Sequence, residues 1–178
     1  MATNAKLPSR LHHTAYVSKD LEATRKFYEE IIGLPLLATW CEKDMLFGAE
    51  RTYAHCFFGL GDGGALAFFQ FADDEAWEKN RAILQEVGGS WHVAFKVTQS
   101  AFDELMQRVT AADVPVRRID HGYCVSMYLK TPDGLRLEFT VDAPDADSIA
   151  AMRRKDAHSE LARWLAGDRR VNNDDRPH

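Results

Sequence analysis

The sequence predicts an α+β fold: two tandem βαβββ modules that form an open, cupped sheet, followed by a C-terminal helix. Two observations carry this. The order strand, helix, strand, strand, strand occurs twice, and similar segments recur at an offset of about 75 residues, too long for a solenoid repeat and suited to a tandem module. His13-Thr-Ala-Tyr-Val matches His92-Val-Ala-Phe-Lys, and Leu66-Ala-Phe matches Leu137-Glu-Phe.

In the first module, residues 11–18 alternate and are rich in β-formers, which predicts a strand. Asp20 has the character of an N-cap, and Leu21, Thr24, Phe27, Tyr28 and Ile31 follow at helical spacing up to the Gly33/Pro35 stop. Strands are expected over 35–41 and 52–60. Gly61-Asp-Gly-Gly then forms a hairpin turn into a fourth strand at 65–71. That turn is no phosphate loop, since neither a helix nor Gly-Lys-Ser/Thr follows it. A charged helix over about 74–86, closed by Gly88-Gly89, leads to the second module. There 91–98 reads as a strand and 100–112 as a helix carrying Phe102, Leu105, Met106 and Val109. Strands over 116–120 and 123–130, a Thr131-Pro-Asp-Gly turn and a strand over 135–142 complete it. Asp147 to Ala166 reads as a helix, and the charged tail lacks an apolar face and is expected to be disordered. The expected boundaries are 10–73 for the first module, 74–89 for the linker, 90–143 for the second module, 144–167 for the helix and 168–178 for the tail.

Composition narrows the function classes. The chain has 178 residues, 46% hydrophobic and 28% charged, with a net charge of −5, long enough to bury a core without staples. No basic stripe marks a nucleic-acid surface, and no apolar run approaches a membrane span. Cys41, Cys56 and Cys124 are odd in number and form no CxxC pair, which argues for reduced thiols and a cytoplasmic setting. The polar start, Met1 to Arg10, shows no secretory signal.

The residues that could carry chemistry are His13, His92 and Glu138, each on an expected strand. Two imidazoles and a carboxylate make a facial set suited to Fe(II), Mn(II), Ni(II), Zn(II) or Co(II), with positions left open for substrate. A lone strand histidine is more often packed or solvated; the matched positions in duplicated modules favour the metal site. His12 competes with His13. Strand alternation sets the two on opposite faces, and the seven-residue spacing from His13 to Asp20, like that from His92 to Gln99, favours His13. The Phe57, Phe58, Phe68, Phe69 and Phe71 cluster reads as core rather than an aromatic substrate pocket, and Arg117-Arg118 as an exposed strand pair rather than a site for an anionic substrate.

The opening stretch Leu11-His-His-Thr-Ala-Tyr-Val-Ser-Lys-Asp-Leu-Glu-Ala-Thr-Arg-Lys-Phe-Tyr-Glu-Glu-Ile-Ile-Gly-Leu and the closing Tyr128-Leu-Lys-Thr-Pro-Asp-Gly-Leu-Arg-Leu-Glu-Phe resemble the vicinal oxygen chelate superfamily. That superfamily takes in glyoxalases, epimerases, fosfomycin-resistance thiol transferases, extradiol dioxygenases and metal-free bleomycin-binding proteins. The resemblance implies the metal ligands His13, His92 and Glu138. It also points to a fourth position on the last strand of module one, where Ala67 stands; Gln70, three residues on, is the alternative occupant. Tyr128, ten residues before Glu138, resembles the tyrosine that contacts bound oxygen in extradiol dioxygenases, though a strand tyrosine with its ring in the core is an equal reading. His121 resembles a substrate-contacting histidine there, and a turn histidine is the alternative. The resulting expectation is an Fe(II) ring-cleaving dioxygenase acting on a catechol-like diol, with Tyr128 and His121 as catalytic residues. The alternatives are a glyoxalase-like lyase or isomerase or a thiol transferase on another divalent metal, and a metal-free binding protein. A small-molecule substrate and a homodimer are expected. Ile149, Met152, Ala157, Leu161 and Trp164 form an apolar stripe on the last helix, available either to a second copy or to its own domain.

Overall fold

The computed structural model describes residues 8–46, 48–87 and 91–173. The chain divides into two units, one reaching to Trp91 and including Thr131–Leu135, the other holding His92–Lys130 and everything from Arg136.

Unit one runs β1 (His13–Val17), α1 (Leu21–Arg25) with a π-helical continuation (Lys26–Ile32), β2 (Leu36–Leu46), β3 (Ala49–Gly59), β4 (Ala65–Phe71) and α2 (Glu75–Val87). Unit two runs β5 (His92–Lys96), α3 (Gln99–Ala111), β6 (Val116–Asp120), β7 (Cys124–Lys130), β8 (Arg136–Asp142) and α4 (Ala146–Leu165). Each unit holds a four-stranded sheet, ordered β1-β4-β3-β2 and β5-β8-β7-β6. The duplication expected from the sequence is therefore present strand by strand: in each unit the first strand pairs in parallel with the last, and the others are antiparallel.

Local signals explain the elements. Asp20 Oδ1 accepts from the backbone N–H of Glu22 and Ala23, both at 3.0 Å, and so occupies the first orphan donors of α1. The helix widens after Arg25, where Gly33 N–H and Leu34 N–H both donate to the Tyr28 carbonyl. Gly33 ends it at φ 90°, a conformation glycine adopts without a Cβ clash. The sequence does not foresee the widening, because a π turn preserves the apolar spacing well enough to pass for an α-helix. Here it buries Thr24, Phe27, Tyr28 and Ile32 together. Tyr28 meets Phe58 and Phe68 with ring centroids 5.3 and 4.9 Å apart. In unit two, Phe102, Leu105 and Val109 of α3 are buried, and the helix packs against β8.

The β2–β3 hairpin is longer than expected, eleven residues in each strand. Residues 42–51 alternate too weakly to announce a strand, and backbone pairing from Glu42↔Tyr53 to Leu46↔Ala49 carries them. The expected Gly88-Gly89 stop lies outside the described residues, as does the end of the tail beyond 173. Residues 168–173 turn back on α4: Arg163 bonds Asp168, and Asn172 Nδ2 donates to Glu160 Oε2 at 2.7 Å. None of the α4 side chains is buried; Ile149 is half-buried, and the rest of its expected apolar stripe is exposed.

The Thr131-Pro-Asp-Gly turn forms as expected, closed by Gly134 N–H to the Thr131 carbonyl with Gly134 at φ 89°. Asp133 is buried, and Thr24 Oγ1 donates to its Oδ2 at 2.8 Å. Burial pushes the Asp133 carboxyl above its ordinary value, against the pull of its hydroxyl and backbone donors.

Candidate metal and substrate site

In unit two the register sets out one face of the sheet. Ala94 of β5 and Tyr128 of β7 both pair with Glu138 of β8, so Glu138 and Tyr128 share a face, with His92 and Ser126 two residues along their own strands. The side chains converge. Glu138 is 7% exposed. Its Oε1 accepts from Ser126 Oγ at 2.5 Å and from the Tyr128 hydroxyl at 2.8 Å. Its Oε2 lies 3.0 Å from His92 Nε2, and His121 Nε2 lies 3.0 Å from the Tyr128 hydroxyl. A chain of contacts thus runs His121, Tyr128, Glu138, His92. Burial and the carboxylate acceptor push the Tyr128 phenol up to about 12, so it stays protonated at neutral pH and serves as a donor.

His92 and Glu138 fit a first-row divalent ion. Two donors each about 2.1 Å from a metal and at right angles are about 3.0 Å apart, the separation their facing atoms have. Ser126 and Tyr128 orient the carboxylate from behind, as outer-shell groups do for ligating carboxylates. Among the described residues, no group of three His, Cys, Asp or Glu side chains gathers for a metal. Of the three residues expected from the sequence, His92 and Glu138 lie together within unit two, and His13 belongs to unit one.

In unit one, His13 pairs with Ala65 and Ala15 with Ala67, as His92 pairs with Arg136 and Ala94 with Glu138. Ala67 is thereby the register counterpart of Glu138, Phe57 of Tyr128, and His55 of Ser126. Gln70 is not the alternative: its Oε1 accepts from Leu21 N–H at 2.8 Å, at the start of α1. Where unit two has carboxylate, phenol and hydroxyl, unit one has a methyl group, a phenyl ring and a stacked imidazole. His55 lies 3.6 Å, centroid to centroid, from Phe69, and its Nε2 is buried without a hydrogen-bond partner. Burial lowers its pKa, and neighbouring His13 adds to the effect. The sequence expectation for His12 needs correction. It precedes β1 and escapes strand alternation, so its Nδ1 sits 2.8 Å from His13 Nδ1 rather than on the far face.

Two features of the unit-two face escape sequence reasoning. Ser126 was legible only as the residue two before Tyr128 on the same strand. The second is a row of basic residues: Lys130 pairs with Arg136, and Arg136 with His92. Among the described residues neither Lys130 nor Arg136 makes an ion pair with a carboxylate. Like charges placed directly opposite are unfavourable in a sheet unless an anion lies between them. Arg117 is exposed on its strand, as expected, and pairs with Tyr128 on this same face.

Comparison with known proteins agrees with this architecture. The chain is 30% identical over 145 residues to a glutathione transferase FosA from Serratia marcescens, covering 82% of this chain and 89% of that one. It is 28% identical over 145 residues to a lactoylglutathione lyase from Neisseria meningitidis, covering 79% and 96%. Among solved structures, the fosfomycin resistance protein FosX from Listeria monocytogenes, complexed with Mn(II) and sulfate, superposes with a TM-score of 0.53 at 18% identity, covering 79% and 98%. No helix among the described residues is long and apolar enough to cross a membrane. The profile of the Glyoxalase/Bleomycin resistance protein/Dioxygenase superfamily matches residues 10–139, and the chain belongs to that superfamily.

Proposed function

We propose that this protein is a divalent-metal-dependent enzyme that adds a thiol to an anionic, oxygen-bearing electrophile. The observation that carries this reading is Ala67 in register with Glu138. An isomerase that moves a carbon-bound proton needs a base facing the substrate, and the one position equivalent to Glu138 holds a methyl group. Addition of a thiol breaks no carbon–hydrogen bond: the thiol loses its S–H proton to solvent, the sulfur–carbon bond forms, the carbon–oxygen bond breaks, the oxygen takes a proton, and solvent restores the proton to the group that gave it. The Tyr128 phenol, held between Glu138 and His121, is a weak acid suited to giving that proton to a more basic alkoxide. Lys130, Arg136 and Arg117 favour a substrate carrying an anionic group.

His92 and Glu138 would hold the metal with His13 as the third protein ligand, in an assembled protein that is a homodimer. The metal would supply Lewis acidity at the substrate oxygen. Mn(II) is the first ion to test; Fe(II), Ni(II), Zn(II) and Co(II) follow. The ring-cleaving dioxygenase expected from Tyr128 gives way here, since the named relatives are a glutathione transferase and lactoylglutathione lyases.

The test is to determine the metal content of never-chelated protein and of His92→Ala. Mn(II)-loaded enzyme is then followed by phosphorus NMR with fosfomycin and either glutathione or L-cysteine. A thiol adduct that depends on metal and is lost in His92→Ala supports the proposal. Turnover of the methylglyoxal–glutathione hemithioacetal instead would move the assignment to a lyase. Absence of both activities in metal-loaded protein would overturn it.

A further inference from the structure

The superfamily match ends at residue 139, and the chain beyond it returns to the candidate site. After α4, Arg163 holds Asp168 through Nη1 at 2.9 Å and the Arg170 carbonyl through Nη2 at 2.9 Å. Arg153 bonds the Asn172 carbonyl, and Asn172 Nδ2 bonds Glu160. These contacts fasten residues 168–172 along the helix and deliver Asn173, whose Nδ2 donates to the His121 carbonyl at 3.0 Å.

His121 sits on the turn between β6 and β7. Its N–H donates to the Cys124 carbonyl, Gly122 N–H to Asp120 Oδ1, and Ala143 N–H to the Tyr123 carbonyl. The His121 carbonyl is met from outside the turn, by Asn173. The imidazole lies against the Tyr123 ring, with centroids 5.9 Å apart and planes within 24° of each other, and reaches the Tyr128 hydroxyl with Nε2. A cavity of about 430 Å³ lies beside this contact, with Tyr123, Ile149, Arg153 and Asn173 in its wall. The turn therefore has open space on the side where the strap crosses it.

We propose that the segment after α4 is a strap, and that Asn173 is a positioning residue which fixes the His121 turn so that the imidazole holds the Tyr128 hydroxyl in line with Glu138. The idea rests on the proposed role of Tyr128 as proton donor. Asn173 touches no reacting atom. Its effect passes through one backbone carbonyl to a side chain that orients the donor, and a neutral surface residue at 173 would have no such effect.

The experiment compares full-length Asn173→Asp, Asn173→Ala and Asn173→Gln with the parent protein. Aspartate keeps the size but replaces the amide donor with an acceptor that repels the carbonyl, whereas glutamine keeps the donor. The first readout needs no substrate: imidazole NMR signals of His121, assigned with His121→Gln. The second is kcat and KM on whichever substrate the thiol-addition panel identifies. Expected are displaced or broadened His121 signals in Asn173→Asp and Asn173→Ala, with circular dichroism unchanged. In both variants kcat should fall about three- to tenfold, the range one hydrogen bond supports, with KM held, and Asn173→Gln should recover most of it. His121 signals identical to the parent in Asn173→Asp would overturn the strap, whatever the activity. Displaced signals without activity on any panel substrate would keep the strap and count against the thiol-addition reading. A KM change with kcat held, or no rescue by glutamine, would also refute the positioning role.

Discussion

Replacing Tyr128 with phenylalanine tests the carboxylate network at its centre. The ring stays and the hydroxyl goes. Glu138 Oε1 then keeps the Ser126 donor alone, while Oε2 still faces His92. At 7% exposure, Glu138 leaves water little room to replace the lost donor. A hydrogen bond to a charged group contributes about 1.5–3 kcal/mol, so the expected loss is about 2 kcal/mol. With an m-value near 2 kcal/mol/M, the urea midpoint should fall by about 1 M. Urea unfolding of metal-free protein measures it, and a double-mutant cycle with Glu138→Leu, which removes the acceptor, isolates the pair. The coupling should account for most of the loss. An unchanged midpoint, or coupling near zero, would mean that the Tyr128–Glu138 contact contributes nothing and that the orientation argument for the site fails.

Other expectations follow from individual positions. Asp133 has a folded-state pKa raised by burial. Its ionisation therefore opposes folding, and stability falls as pH rises from its unfolded value near 3.8 through the raised folded value. Asp133→Asn, which keeps the acceptor for Thr24, should gain stability relative to the parent progressively across that window. Equal denaturation midpoints for the two proteins at pH 4 and pH 7 would contradict this. Gly33→Ala places a Cβ at φ 90° and should cost about 1–2 kcal/mol, read as a lowered melting temperature. Ala67→Glu puts a carboxylate at a position with no exposed surface, beside Phe57 rather than a phenol. Without a donor it should destabilise by at least about 2 kcal/mol; full stability in metal-free urea unfolding would show that unit one can support a fourth ligand.

The duplicated βαβββ order was legible in the sequence because strand alternation, helical spacing, the Asp20 cap, and the Gly33 and Gly134 stops are local signals. The same positions aligned His13 with His92 and separated Ala67 from Glu138, which the strand register bears out. What the sequence could not supply depends on groups distant along the chain. Ser126 acquires a role, and Tyr128 its acceptor Glu138, only because β7 pairs with β8 in one register, which places a hydroxyl and a phenol against one buried oxygen. Lys130 meets Arg136 by the same register, and Arg136 meets His92 through the pairing of β5 with β8. His12 turns toward His13 because β1 starts at His13, two residues after the start that alternation suggests. The charged tail has no apolar face to predict its course, and specific hydrogen bonds to α4 and to the His121 carbonyl decide it. The sequence by itself determined the order of the elements and their duplication. The tertiary structure decided which donors meet, because register and chain return are set by long-range pairing that no local pattern encodes.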